Sequence, residues 1–446
     1  MFIAKGDTMR FALLTVAVFS VLMFAAVVAA PVSSADAAVS GSDSGNISWI
    51  LVCSALVFIM TPGVALFYGG MLRKQSMTSI MAQTAIIMGI MALSWAIVGY
   101  TLAFSGDIGG LIGNLDDVLL ENIDYGTIPE GSTIPEMEFM LFQMMFAMIT
   151  AGIVLGACME RVRFNAIAVF IAFWSVLVYA PMAHWVWGGG LFDQHLTVLD
   201  FAGGTVVHMC AATTGLALAV FVGRRSERVL RRGHSMPMVF IGFAMLWFGW
   251  LGFNGGSGLA ADGTAVNAVV VTMIAPAAGM ISWAAVQYRQ MGHTGALGLI
   301  SGALAGLVAI TPAAGYVKPG PAIIIGLVAG VVCYYGVLFM RSRSGADDAL
   351  DVFGVHGVGA IWGAVATGLF ANPSMVADGY EGLFYGGISL FLGQIAAVIV
   401  TVAFCFAASY LLIWVISRFV RVRLTEEEEA VGADISELAE PSYNWR

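Results

Sequence analysis

Apolar runs recur along the chain at 48–71, 79–104, 139–158, 164–187, 200–222, 237–258, 264–286, 294–310, 321–340, 354–372 and 383–416. Each approaches or exceeds the roughly 20 residues that a helix needs to cross a bilayer, so the pattern predicts eleven membrane-spanning helices. A further apolar stretch, 11–30, lies ahead of them. It follows Lys5 and Arg10 and precedes small residues around Ala35-Asp36-Ala37. A basic start, an apolar middle and a small-residue end are the parts of a secretory signal peptide. Residues 1–37 are therefore read as a leader and 38–47 as a short extracellular lead. An uncleaved anchor would add a twelfth span and leave the rest of the topology unchanged.

Composition agrees with a polytopic membrane protein. Of 446 residues, 59% are hydrophobic and 11% charged, with mean hydropathy +0.89, whereas soluble domains are about a quarter charged. Basic residues cluster at alternate connections: Arg73 and Lys74, Arg161 and Arg163, five arginines in "GRRSERVLRRGHS", Arg289, Arg341 and Arg343, and Arg418, Arg421 and Arg423. The intervening connections contain a single lysine, Lys318. By the positive-inside rule the basic side is cytoplasmic, which puts the N-terminus of span 1 outside and the C-terminus inside. The net charge of −9 comes largely from the 105–138 loop and the 425–446 tail, and it carries no suggestion of nucleic acid. Five cysteines, scattered singly, have no metal-ligand spacing and read as packing residues.

Spans 5 and 10 each pair an acid with a histidine, ionisable groups that are costly in lipid and are usually functional there. Span 5 opens with Asp200 and places His208 eight residues on; span 10 opens with Asp351 and then His356. Spans 1 and 6 both end in an aromatic residue shortly before Gly-Gly, in "ALFYGGML" and "GFNGGSGL". Five spans per half is an odd number, so the second half must enter the membrane inverted, a plan that puts a working site near the midplane. With a rise of about 1.5 Å per residue, His208 lies about 12 Å below Asp200, and His356 about 7–8 Å from Asp351 in the opposite sense. The two imidazoles then approach the middle of the membrane from opposite sides. Asp200 is also a favourable N-cap for the helix it begins.

The stretches "DFAGGTVVH" (200–208), "ERVRFNA" (160–166), "AHWVWGGGL" (183–191), "GWLGFNGGS" (249–257), "TPAAGYV" (311–317) and "DVFGVHGVGAIWG" (351–363) resemble the ammonium transporter family, Amt/Mep/Rh, and its bacterial and archaeal Amt branch more than the Rh branch. The resemblance runs in order from about residue 48 to 425. It implies an all-α polytopic fold of eleven transmembrane helices, two inverted five-helix repeats and a long last helix, assembled as a homotrimer. It also implies roles. Trp187 and Ser257 would form the outer ammonium site, with Asp200 supporting it. Phe146 and Phe253 would be a stacked gate, with Phe142 one turn above Phe146. His208 and His356 would be paired in the pore, and Thr311 would line the conduction path. No cofactor is implied.

The chemistry fits those residue types. Ammonium resembles K⁺ in charge and size, but it alone can surrender its charge as a proton. A tryptophan face attracts the cation, and a serine hydroxyl can accept one of its N–H bonds. A dry aromatic constriction then makes carrying the charge expensive, so neutral ammonia can pass two imidazoles that donate from one nitrogen and accept at the other. Whether the proton also crosses stays open at this level. An intramembrane metalloenzyme would want Glu-x-x-His or His-Glu-x-x-His spacings, which are absent. An ammonium sensor on the same fold is the closer rival; such proteins usually add a signalling domain, and only about twenty-two residues follow Leu424.

Residues 48–424 are thus read as the membrane domain and 425–446 as a cytoplasmic regulatory tail. In the family this region mediates inhibition by PII-type nitrogen regulatory proteins. Gly432-Ala433-Asp434 resembles the family's Gly-Leu-Asp, although the His-Gly-Glu that often follows is missing.

Overall fold

In hydrocarbon no water can satisfy backbone amides, so an apolar segment must pair them internally as a helix. The computed structural model describes residues 42–126, 128–226 and 233–443. Among these, eleven helices are long and apolar enough to span a membrane: α1 (Ser44–Met71), α2 (Lys74–Phe104), α3 (Glu136–Cys158), α4 (Phe164–His195), α5 (Gly204–Val222), α6 (Met236–Gly255), α7 (Gly263–Met291), α8 (Ala296–Ala313), α9 (Pro319–Ser342), α10 (Phe353–Phe370) and α11 (Ile388–Ile416). The leader reading of 1–37 lies outside the described residues.

Local chemistry sets the helix starts. Asp43 accepts from the amides of Gly45 and Asn46 to begin α1, and Asp262 accepts from Thr264 and Ala265 to begin α7. Both carboxylates satisfy amides that have no partner inside the helix. The extent of α4 exceeds the sequence expectation: the chain turns through Gly188–Gly190 and resumes in a short helix, Leu191–His195.

The two inverted halves, α1–α5 and α6–α10, pack most extensively through their first helices. Glycine makes that approach possible. A Cβ at Gly242 of α6 would stand 2.3 Å from the Phe67 amide nitrogen of α1, so any larger residue would force the halves apart. Helices α3 and α5 are enclosed, whereas α11 turns most of its surface outward.

One face carries the basic clusters and is called here the basic face; the other is the acidic face. At the basic face Arg225 bridges Glu160 (3.1 Å) of the first half and Asp347 (2.8 Å) of the second, and Arg161, fully buried, lies 3.3 Å from Asp347. Burial pushes the Asp347 carboxyl up, but the Arg225 and Arg161 guanidiniums hold it well below the usual carboxylate range.

The tail folds onto this face. Thr425 and Glu428 form a capping box that starts α12 (Glu426–Val431), and α13 (Ala433–Leu438) follows. Arg163 pairs with both Glu428 and Glu437. The buried Glu429 accepts from Arg423 Nε (2.8 Å) and from the Ser226 amide (2.9 Å), and Asp434 Oδ1 accepts from the Ser79 amide (2.7 Å). Four acidic residues in the first turn of α12 also suit the positive end of a helix dipole.

Candidate functional site

The site begins with how α5 starts. Asp200 Oδ1 accepts from the amides of Gly203 (2.9 Å) and Gly204 (2.7 Å), and Oδ2 from those of Thr205 (2.7 Å) and Val206 (3.2 Å). Gly203, at φ +98°, turns the chain so that four amides converge on one carboxylate, a backbone conformation that glycine adopts at little cost. The backbone oxygen of Asp200 accepts from Trp187 Nε1 at 2.8 Å. One buried residue therefore fixes both the helix and the indole.

Span 10 repeats this device with a change of residue. The sequence reading opened this span at Asp351; the cap is Asp348, three residues earlier, whose carboxylate accepts from the amides of Val352 (3.0 Å) and Phe353 (2.7 Å). Asp351, at φ +59°, occupies the left-handed position that Gly203 holds in the first half, and its carboxylate pairs instead with Arg341 of α9. Aspartate tolerates that conformation better than most residues. The two histidines then sit at matching distances, His208 eight residues after Asp200 and His356 eight after Asp348. Both lie in single π-helical turns, Gly204–Met209 and Phe353–Gly357, a departure from α geometry common at functional sites.

The imidazoles meet. His208 Nδ1 and His356 Nδ1 are 3.3 Å apart, with ring centroids at 5.3 Å and planes at 28°. At that separation one Nδ1 donates and the other accepts, so the pair shares one hydrogen bond while both rings stay neutral. His208 Nε2 is buried and has no partner within the protein. Both rings line a narrow cavity of about 10 Å³, with Phe67, Tyr68, Trp250 and Leu304.

Toward the acidic face the path is closed by aromatics. Phe253 lies 5.8 Å from His208, and Phe146 stacks on Phe253 at 4.2 Å with planes 20° apart. Phe142 meets Phe146 edge-on at 4.9 Å, and Trp187 does so at 6.0 Å. Ser257, just beyond α6, donates to the Phe253 carbonyl at 2.7 Å, which leaves its lone pairs able to accept. Trp187, Phe146, Phe253, His208 and His356 thus form a continuous series, each in contact range of the next.

Thr311 is fully buried. It accepts from Trp250 Nε1 (2.9 Å) and donates to the Leu307 carbonyl (2.8 Å). Trp250, which the sequence reading passed over, stacks on His208 at 5.1 Å with planes at 21°. Its signal was available: Trp250, Phe253 and Ser257 fall at i, i+3 and i+7 in α6, the spacing of one helix face. Among the described residues no three His, Cys, Asp or Glu side chains gather as a metal site.

The sequence profile of the Ammonium Transporter Family matches residues 48–443. The chain belongs to the ammonium transporter family. It is 44% identical to the ammonium transporter of Bacillus subtilis, over 90% of this chain and 98% of that one. It is 43% identical to ammonium transporter Amt1 of Archaeoglobus fulgidus, over 90% and 99%. Among solved structures, Candida albicans Mep2 is 34% identical with a TM-score of 0.80, covering 87% of this chain and 88% of that one. A structure titled Sensor Amt Protein is 29% identical with a TM-score of 0.82, over 88% and 98%.

Proposed function

We propose that this family member takes up ammonium at the acidic face, removes its charge, and conducts ammonia past His208 and His356. The observation that carries this reading is the unbroken order of Trp187, the Phe146–Phe253 stack and the histidine pair. Each station suits one step. The Trp187 face attracts the cation, worth about 0.5–2 kcal/mol depending on desolvation, and the Ser257 hydroxyl and the polar end of α5 complete the site. The phenyl stack excludes water, so a bare cation faces a large desolvation cost. The imidazole pair offers hydrogen bonds without a fixed charge.

The basic face is then cytoplasmic, the acidic face is external, and the protein works as a homotrimer in the cell membrane. The tail is a regulatory element: its helices bind the first half through Arg163 and Ser79, and the segment after α11 through Arg423, so a PII-type partner that displaced it would reach the connections between spans. A sensing role for the same fold is the alternative, favoured by the likeness to Sensor Amt Protein.

Reconstituted protein tests the reading. Uptake of labelled methylammonium that ammonium competes for, with no K⁺ uptake, is the expected result. Ammonium-evoked current would show that the proton follows, and uptake without current would show net ammonia passage. Binding of ammonium with no flux would overturn transport in favour of sensing.

A further inference from the structure

The histidine cavity opens toward the basic face into a larger vestibule of about 160 Å³, with which it shares Phe67, Tyr68, Leu304 and His356. Three side chains lining that vestibule have buried polar atoms with no partner within the protein: Trp283 Nε1, Gln287 Oε1 and Tyr334 OH. Trp283 and Tyr334 are only 5% and 4% exposed, and their rings meet edge-on at 5.4 Å. Buried polar groups are nearly always hydrogen-bonded, so three such atoms around one cavity indicate a polar occupant. Arg341 and Asp351 form an ion pair at the same cavity.

The inverted repeat says what kind of occupant. Helices α3, α4, α5 and α6 supply the aromatic and polar groups at the acidic face. Their counterparts in the other half, α8, α9, α10 and α1, line this vestibule together with α7, which has no counterpart among those four and carries Trp283 and Gln287. Both ends combine aromatic rings, an uncharged oxygen acceptor and a nearby carboxylate, on either side of the same histidine pair. The acceptors, Gln287 Oε1 and the Tyr334 oxygen, can take N–H bonds from a small cation, and the faces of Trp283 and Tyr334 can attract it. Unlike the outer end, the carboxylate here is already paired with a guanidinium, so the vestibule should hold a cation more weakly.

We propose that this vestibule is a second cation site, which takes ammonium or a primary alkylammonium of methylammonium size from the basic face through Gln287, Tyr334 and Trp283. The proposal rests on the transport reading. It makes conduction reversible, with the ion that leaves on one side able to bind and re-enter from that side.

Right-side-out membrane vesicles carrying the full chain separate the two directions. Influx of labelled methylammonium is measured against its external concentration, and efflux against its internal concentration. In Gln287→Leu and Tyr334→Phe the half-saturating internal concentration for efflux should rise about fivefold or more, while that for influx stays within about twofold. Tyr334→Phe keeps the ring and removes only the hydroxyl, so it carries the test if Gln287→Leu does not fold. Trp283→Phe, which keeps an aromatic face and loses only the N–H, should change efflux less than either. If the half-saturating concentrations of both variants match the parent in both directions, the three polar atoms serve hydration only and the site does not exist. If the parent moves no methylammonium in either direction, the transport reading fails, and this inference with it.

Discussion

Replacing Asp200 by Asn removes one acceptor oxygen from a cap that serves four buried amides. Each carboxylate oxygen accepts two of them, and hydrogen bonds to a charged group contribute about 1.5–3 kcal/mol each. Losing two, and turning an amide NH₂ toward the donors they leave, should cost about 3–6 kcal/mol at the start of α5. Fraying of Gly203–Val206 would relieve part of that, but would also move the Asp200 carbonyl that holds Trp187 Nε1 at 2.8 Å. The variant should therefore lose function by a route that starts in the backbone. The assay is thermal unfolding of purified protein in detergent, paired with methylammonium uptake after reconstitution. Expected are a lower unfolding midpoint and uptake reduced by at least about tenfold. Asp348→Asn, at a cap that holds two amides rather than four, should lower the midpoint less. Unfolding and uptake of Asp200→Asn within about twofold of the parent would refute the reasoning, because the carboxylate would then be dispensable as a cap.

Two further outcomes follow from the basic face. Burial, and next the Asp351 charge, push the Asp348 carboxyl up to about 6. A raised carboxyl pKa means that the folded state binds more protons between about pH 4 and 6, so this group's contribution to stability is full at low pH and lost as pH rises through 6. The difference is on the order of 3 kcal/mol, and the unfolding midpoint of Asp348→Asn relative to the parent should rise from pH 4 to pH 7; a constant difference would contradict it. Arg163→Ala removes both guanidinium contacts to the tail, each partly exposed and worth up to about 1 kcal/mol. Protease should then cleave within 425–443 faster than in the parent, and an unchanged rate would mean that Ser79, Ser226 and Arg423 suffice to hold it.

The eleven spans were legible because hydrophobic length is a coarse signal that survives any detail of packing. The meeting of His208 and His356 was legible too, since the odd number of spans per half forces inversion and inversion brings the two imidazoles to one depth. What the pattern could not show was local backbone. Asp351 is the acidic residue nearest the apolar run, so span 10 was read as opening there; that its cap lies three residues earlier, at Asp348, goes with the left-handed turn at Asp351. The π turns that carry both histidines have no compositional mark. Trp250 was hidden among the many aromatics of α6, where its place behind His208 depends on the packing of α8. The bonds that hold Thr311 between Trp250 and its own helix likewise depend on packing. The partnerless atoms of Trp283 and Gln287 lie one turn apart on α7 and that of Tyr334 on α9, and nothing in the sequence joins the two helices at that point.

The central claim is that the pore discriminates by having no fixed charge where His208 and His356 meet. Potassium current through reconstituted His208→Asp tests it most directly. A carboxylate at that point is ionised when a cation lies beside it, and the attraction at 4 Å is about 4 kcal/mol at an effective dielectric of 20, close to three orders of magnitude in occupancy. The variant should carry K⁺ current where the parent carries none. A variant that folds, still moves methylammonium and still excludes K⁺ would contradict the neutral-pore mechanism and leave the histidine pair a packing contact.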